Sequence, residues 1–198
     1  MRRKNQGERR TQLAEAARGV LLQRGAVGLR VKDVAARAGI SPSTLLYYYP
    51  EIDDLLLEVA RAATDRFADN RARAVREIVD PLEQLRLAIR LGIPTGPDDE
   101  ESRLLYELDA LTGVSTAFAA LSTSYFDRQV TLYESVLAAG AAVGSMQPVA
   151  TLDVAARGLV ALEDGLGLQV VLGHPSIDSE EAERVLRGYA ASMLGVEL

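Results

Sequence analysis

Apolar residues recur at spacings of three and four along almost the whole chain. Leu13, Ala16, Ala17, Val20 and Leu21 form one such set, and Leu55, Leu56, Val59, Ala62 and Ala63 another. That spacing marks helices with one buried face. No convincing period-two alternation, the mark of a strand, appears. Loop signals punctuate the pattern at "RGAVG" (24–28), "DP" (80–81), "GIPTGPDD" (92–99), "GAAVGSMQP" (140–148) and "GHPSID" (173–178). The pattern predicts an all-α chain of about nine helices. Three short ones fill the first fifty residues, and the rest run near 51–78, 81–93, 99–112, 115–140, 150–173 and 178–194. Two domains are expected, 1–50 and 51–198, with no linker between them. Pro50 suits a first helical position, because its missing N–H is an orphan there anyway.

The segment "VKDVAARAGISPSTLLYYYP" (31–50) breaks the rhythm of long helices. Val34, Ala35 and Ala38 give one short helix an apolar face. Gly39 can take the left-handed conformation that ends it. Ile40 plugs the turn, Ser41 is a good N-cap, and Pro42 suits the next position. A second short helix runs to about Tyr48. Helix, short turn with glycine, helix is the helix-turn-helix pattern, whose second helix enters the DNA major groove N-terminus first. Ser41, Ser43 and Thr44 then present hydroxyls and free N–H groups where phosphate oxygens bind. Leu45 should dock the helix inward. Tyr47 and Tyr48 should point outward, their phenols reaching phosphate and their rings sugar or a thymine methyl. Tyr49 should fold back towards helix four. The alternative is that all three are ordinary half-buried core tyrosines.

Charge sharpens this picture. The 198-residue chain has a formal net charge of −6, with 22 Lys/Arg and 28 Asp/Glu. Residues 1–50 hold ten of the Lys/Arg and three of the Asp/Glu, a balance of +7 that leaves −13 for the rest. A basic end that meets an anion, with an acidic body, fits that asymmetry, as does a solvated basic tail. Hydrophobic residues make up 48% and charged residues 25%, the mix of a soluble globular protein. No apolar run is long enough for a membrane helix, and the basic N-terminus is followed by no apolar stretch of a signal peptide. The absence of cysteine excludes disulfides, thiolate metal sites and cysteine nucleophiles. A cytoplasmic location is expected, with no membrane partner.

At this point a resemblance can be stated. "RRTQLAEAARGVLLQRGAVGLRVKDVAARAGISPSTLLYYYPEIDDLLLEV" (9–59) resembles the DNA-binding region of TetR-family transcriptional regulators. The likeness lies in the first-helix pattern, the Val-x-Asp-Val-Ala core, the Ala-Gly-Ile-Ser turn and the Thr-Leu-x-x-Tyr-Tyr-Pro end. It implies a homodimer, an all-helical ligand-binding body, and repression relieved by a small molecule. The chain departs from the family pattern at four places. Pro42 stands where Lys is frequent, Leu46 where Tyr is, Ile52 where a phosphate-binding Lys is, and Arg30 where a Ser or Thr cap is. The DNA-binding set expected here is Arg30, Lys32, Ser41, Pro42, Ser43, Thr44, Tyr47 and Tyr48. Arm residues Arg2, Arg3, Lys4, Arg9 and Arg10 are either further DNA contacts, in the minor groove, or a disordered tail.

The last two long helices carry small residues and an apolar stripe. In the resembled family such helices pair with their copies in a four-helix interface. That implies interface residues Ala155, Gly158, Leu159, Leu162, Leu166, Val170, Leu186 and Tyr189. Monomer core is the other reading of the same stripe. The "ALEDGLGLQ" segment (161–169) also resembles C-terminal domains of a betaine-regulator-like subgroup. Polar or aromatic residues within apolar surroundings are candidates for lining an effector pocket: Arg90, Tyr106, Thr112, Phe118, Tyr125, Gln129, Tyr133 and Glu163. Plain core or surface roles are open for each. No catalytic residue, metal or cofactor is called for: the one histidine, His174, lies in a loop, and no phosphate loop or Ser/His/Asp set appears. The expected function is a repressor released from a palindromic operator by a small molecule. A helical adaptor without specific DNA binding is the alternative.

Overall fold

The computed structural model describes residues 2–113 and 115–198, with side chains from residue 6 onward. Nine α-helices and no strand occur among them. They are α1 (Arg2–Gly28), α2 (Val31–Arg37), α3 (Pro42–Tyr48), α4 (Ile52–Arg76), α5 (Pro81–Gly92), α6 (Glu100–Asp109), α7 (Thr116–Ala142), α8 (Leu152–Val171) and α9 (Ser179–Leu194). The first differs from the short helix expected: it runs from Arg2, because nothing in the arm sequence but Gly7 opposes helix. Gly25 breaks its far end at φ +71°. A left-handed residue there lets the Ala26 N–H turn to the Glu107 carboxylate at 2.7 Å. Pro50 and Glu51 form a bend ahead of α4 instead of its first turn.

The chain divides into two compact units, each with its own core. One comprises Met1–Asp65 with Arg103–Ser122. Its core joins Leu13, Ala17 and Leu21 of α1 to Val34 and Ala35, Leu45, Leu55 and Leu104, all at most 1% exposed. The other comprises Arg66–Ser102 with Thr123–Leu198. There α5, α8 and α9 pack through Leu85, Ile89, Leu159 and Leu186, joined by Leu137 of α7. Aspartate caps begin two of these helices. Asp80 accepts from the Leu82 N–H at 3.1 Å, and Asp178 from the Glu181 N–H at 2.8 Å. No helix among the described residues is long and apolar enough to cross a membrane.

Candidate functional site

The turn between α2 and α3 is built by its backbone. Gly39 sits at φ +66°. The Ile40 N–H reaches the Ala35 carbonyl at 3.0 Å and the Gly39 N–H the Ala36 carbonyl at 3.2 Å. This pair of bonds is the Schellman closure, and it needs the left-handed residue that glycine supplies. Ser41 then caps α3. Its Oγ accepts from the Thr44 N–H at 3.1 Å and lies 2.9 Å from Ser43 Oγ and 2.8 Å from Thr44 Oγ1. Leu45 is fully buried and pins the helix.

Everything else on α3 faces out or sits at its edge. Ser41, Pro42, Ser43 and Thr44 are exposed, as are Arg30 and Lys32. Tyr47 is 75% exposed and Leu46 40%, while Tyr48 is half-buried with its ring edge-on to Tyr47 at 5.4 Å. Tyr49 is 1% exposed. Its hydroxyl donates to Glu58 of α4 at 3.0 Å and accepts from Arg10 of α1 at 3.2 Å. The Arg10 guanidinium also lies over the ring, 4.5 Å from its centroid, and bonds Glu58 at 2.9 Å. Burial, helped by the Glu58 carboxylate and opposed by Arg10, pushes the Tyr49 phenol up to about 12. The three adjacent tyrosines therefore sit in three environments, and Tyr49 ties α1, α3 and α4 together. Of the arm, Arg9 bonds Gln12 at 2.8 Å on the surface. The side chains of Arg2, Arg3 and Lys4 lie outside the described residues.

The second unit holds a buried polar centre. Arg71 of α4, 2% exposed, makes a two-pronged pair with Glu163 of α8 at 2.8 and 2.6 Å. It also donates to Gln129 Oε1 at 2.6 Å, to the Ala88 carbonyl at 2.7 Å and to the Tyr133 hydroxyl at 3.0 Å. Tyr133 donates to Glu163 at 2.5 Å. Burial works against the Arg71 charge, but the Glu163 carboxylate more than offsets it and holds the guanidinium above its ordinary value. Burial, reinforced by Glu163, raises the Tyr133 phenol well above its usual range. A Cβ added at Gly92 of α5 would run into both Glu163 and Arg71, so glycine there makes room for the pair. Phe67 and Tyr125 meet edge to face nearby, 6.1 Å between centroids.

Of the residues expected to line an effector pocket, Gln129, Tyr133 and Glu163 converge on Arg71, with Tyr125 in the same unit. The other four do not join them. Arg90 faces solvent on α5. Tyr106, Thr112 and Phe118 belong to the other unit, where Phe118 is 3% exposed in its core. Arg71 itself was missed. Its signal was its place in the buried stripe Ala60, Ala63, Ala68, Val75, at the helical spacing of that face.

The residues expected at the interface fall into two sets in the single chain. Ala155, Leu159, Val170 and Leu186 are at most 1% exposed and belong to the core of the second unit. Leu162 and Leu166 are half-buried against it. Helix α8 carries two apolar stripes, and the one rich in large residues packs on its own chain. The outward stripe is Val154, Gly158, Ala161, Gly165, Leu168 and Leu172, spaced four and three alternately. Val154 is 58% exposed, Leu172 69% and Leu168 38%, with Tyr189 of α9 at 42%. Tyr189 lies against Gly158, where a side chain would meet its hydroxyl.

A capped, outward-facing short helix held by a left-handed turn, in a unit separate from a helical body, defines a helix-turn-helix DNA-binding protein. Comparison with known proteins makes this specific. Residues 13–59 match the bacterial regulatory proteins of the tetR family, and residues 81–195 match the C-terminal part of BetI-type transcriptional repressors. The HTH-type transcriptional regulator PksA of Bacillus subtilis is 25% identical over 94% of this chain and 90% of its own length. The HTH-type transcriptional regulator BetI of Rhizobium meliloti is 22% identical over 94% and 89%. A transcriptional regulator of Saccharomonospora viridis, solved in complex with choline, superimposes with a TM-score of 0.87 at 25% identity, over 95% of this chain and 98% of that one. The chain belongs to the TetR family and is a DNA-binding transcriptional regulator with a BetI-type C-terminal part.

Proposed function

We propose that this regulator is a cytoplasmic homodimeric repressor that leaves a palindromic operator when a small molecule binds its second unit. Its DNA contacts are Arg30, Lys32, Ser41, Pro42, Ser43, Thr44, Tyr47 and Tyr48. Its effector site is the centre formed by Tyr125, Gln129, Tyr133 and Glu163, with Phe67 and Arg71 added. Its interface is the outward stripe of α8 with Tyr189, and residues near 1–50 act as the DNA-binding part. The observation that carries the reading is α4. This single helix bears both Glu58, bonded to Tyr49 behind the recognition helix, and Arg71, at the polar centre. An effector that favours a different setting of α4 therefore biases the DNA-competent state, by as much as its affinities for the two states differ. The Saccharomonospora regulator was solved with choline, so choline is the first compound whose acceptance or rejection by this centre is to be measured.

The test is binding of the purified protein to DNA upstream of its own gene and to shuffled DNA, at two salt concentrations. Tight binding to the first alone, steeply weakened by salt, is expected. Equal weak binding to both at either salt would favour the adaptor reading.

A further inference from the structure

The polar centre of the second unit has the composition of a cation receptor. Aromatic faces and a buried carboxylate are what recognise a small organic cation. Here the rings are Tyr133 and Phe67, and the carboxylate is Glu163, 4% exposed. Yet the position is already filled from within. The Arg71 guanidinium carbon stands 5.2 Å from the Tyr133 centroid and 6.0 Å from that of Phe67. It takes both oxygens of Glu163. A second cation would find both rings and both carboxylate oxygens already taken and the Glu163 charge already neutralised, so the attraction that a free carboxylate would give it is gone.

We propose that Arg71 is a built-in cation occupying the place an organic-cation effector would take, so this centre rejects quaternary ammonium ions and accepts uncharged or anionic molecules. The proposal rests on reading this centre as the effector site. One further detail fits it. The Arg71 Nε–H is a buried donor with no hydrogen-bond partner, while both terminal nitrogens are engaged. A buried charged donor left unpaired is costly, and an effector's carbonyl or carboxylate oxygen would satisfy it.

The test compares the whole protein with Arg71→Ala and with the double variant Arg71→Ala/Glu163→Gln. Each is titrated calorimetrically with choline and with tetramethylammonium, and its thermal unfolding is followed in both. The wild type should show neither heat nor a shift in Tm. Arg71→Ala should bind both cations, each with measurable heat, and gain Tm in their presence. The double variant should lose that response with the carboxylate charge. If Arg71→Ala is unfolded in plain buffer, recovery of its helical circular dichroism on adding tetramethylammonium reads the same effect. Choline or tetramethylammonium binding to wild type as tightly as to Arg71→Ala would overturn the proposal. So would an Arg71→Ala protein indifferent to both cations. The two readings fail separately. Operator release from wild type by choline sinks the built-in cation but keeps the effector site. Cation binding by Arg71→Ala with no change in operator affinity keeps the built-in cation and sinks the effector site.

Discussion

Ionising Tyr49 should unlock the DNA-binding unit, and the size of the effect follows from its surroundings. The phenol is 1% exposed and donates to Glu58, so a phenolate would be both desolvated and set against a carboxylate. Its pKa is raised from 10.0 to about 12. A raised folded-state value means the protonated phenol stabilises the fold. That contribution is complete below pH ~10 and is lost as pH climbs towards ~12. A shift of about two units corresponds to at most about 2.7 kcal/mol. Solvent at Glu58 and Arg10, whose side chains are 40% and 48% exposed, reduces this towards about 1 kcal/mol. The assay is urea unfolding of wild type and Tyr49→Phe from pH 8 to pH 12. At pH 8 the variant should be less stable by about 1–2 kcal/mol, the worth of a hydrogen bond to a charged partner. Above pH ~10 wild type should lose stability faster, and the gap should close or reverse. Ultraviolet titration should show Tyr49 and Tyr133 ionising late among the seven tyrosines, and the Tyr49 contribution should be missing from Tyr49→Phe. Parallel stability curves for the two proteins across the whole range would refute the argument.

Glu163→Ala leaves Arg71 buried and unpaired and should cost about 3–5 kcal/mol, a fall in Tm of roughly 6–20 °C. Replacing both partners by methionine should cost less than Glu163→Ala alone, and a larger loss would show that the pair does not act as a unit. Leu168→Glu puts a charge in the outward stripe of α8, 38% exposed in the single chain. It should yield folded monomers in sedimentation, and an unchanged oligomeric state would remove α8 from the interface. Leu46 projects from α3 at 40% exposure where no arginine, lysine, asparagine or glutamine accompanies it, so a thymine methyl is its fitting target. Replacing that thymine by uracil in a selected operator should weaken wild-type binding about four-fold, the worth of one buried methylene-sized group, and leave Leu46→Ala unaffected. Equal losses in both proteins would assign the methyl to another residue.

How much of this was legible in the sequence depends on the range of the interaction. Helix limits and the turn are set by neighbours within a few residues, and they could be read. The segment expected at 51–78 is Ile52–Arg76, that at 150–173 is Leu152–Val171, and that at 178–194 is Ser179–Leu194. Gly39 and Ser41 each act on partners three to five residues away. Arg71 and Glu163 are 92 residues apart, and nothing local says which of Arg66, Arg71, Arg73 and Arg76 turns inward. Only the register of Arg71 with Ala68 and Val75 carries that information, and a charged residue in an apolar stripe is easily read as an interruption of it. The two stripes of α8 pose the opposite difficulty. Both are apolar, so burial alone cannot rank them, and the large residues that look most like an interface are those a chain uses first for its own core. The small-residue stripe suits close approach of a second helix at Gly165, which has open space beside it, while Gly158 is covered by Tyr189 of its own chain. An interface hidden in this way is recognised from what the monomer leaves uncovered, which is knowledge of the folded chain and not of any one helix.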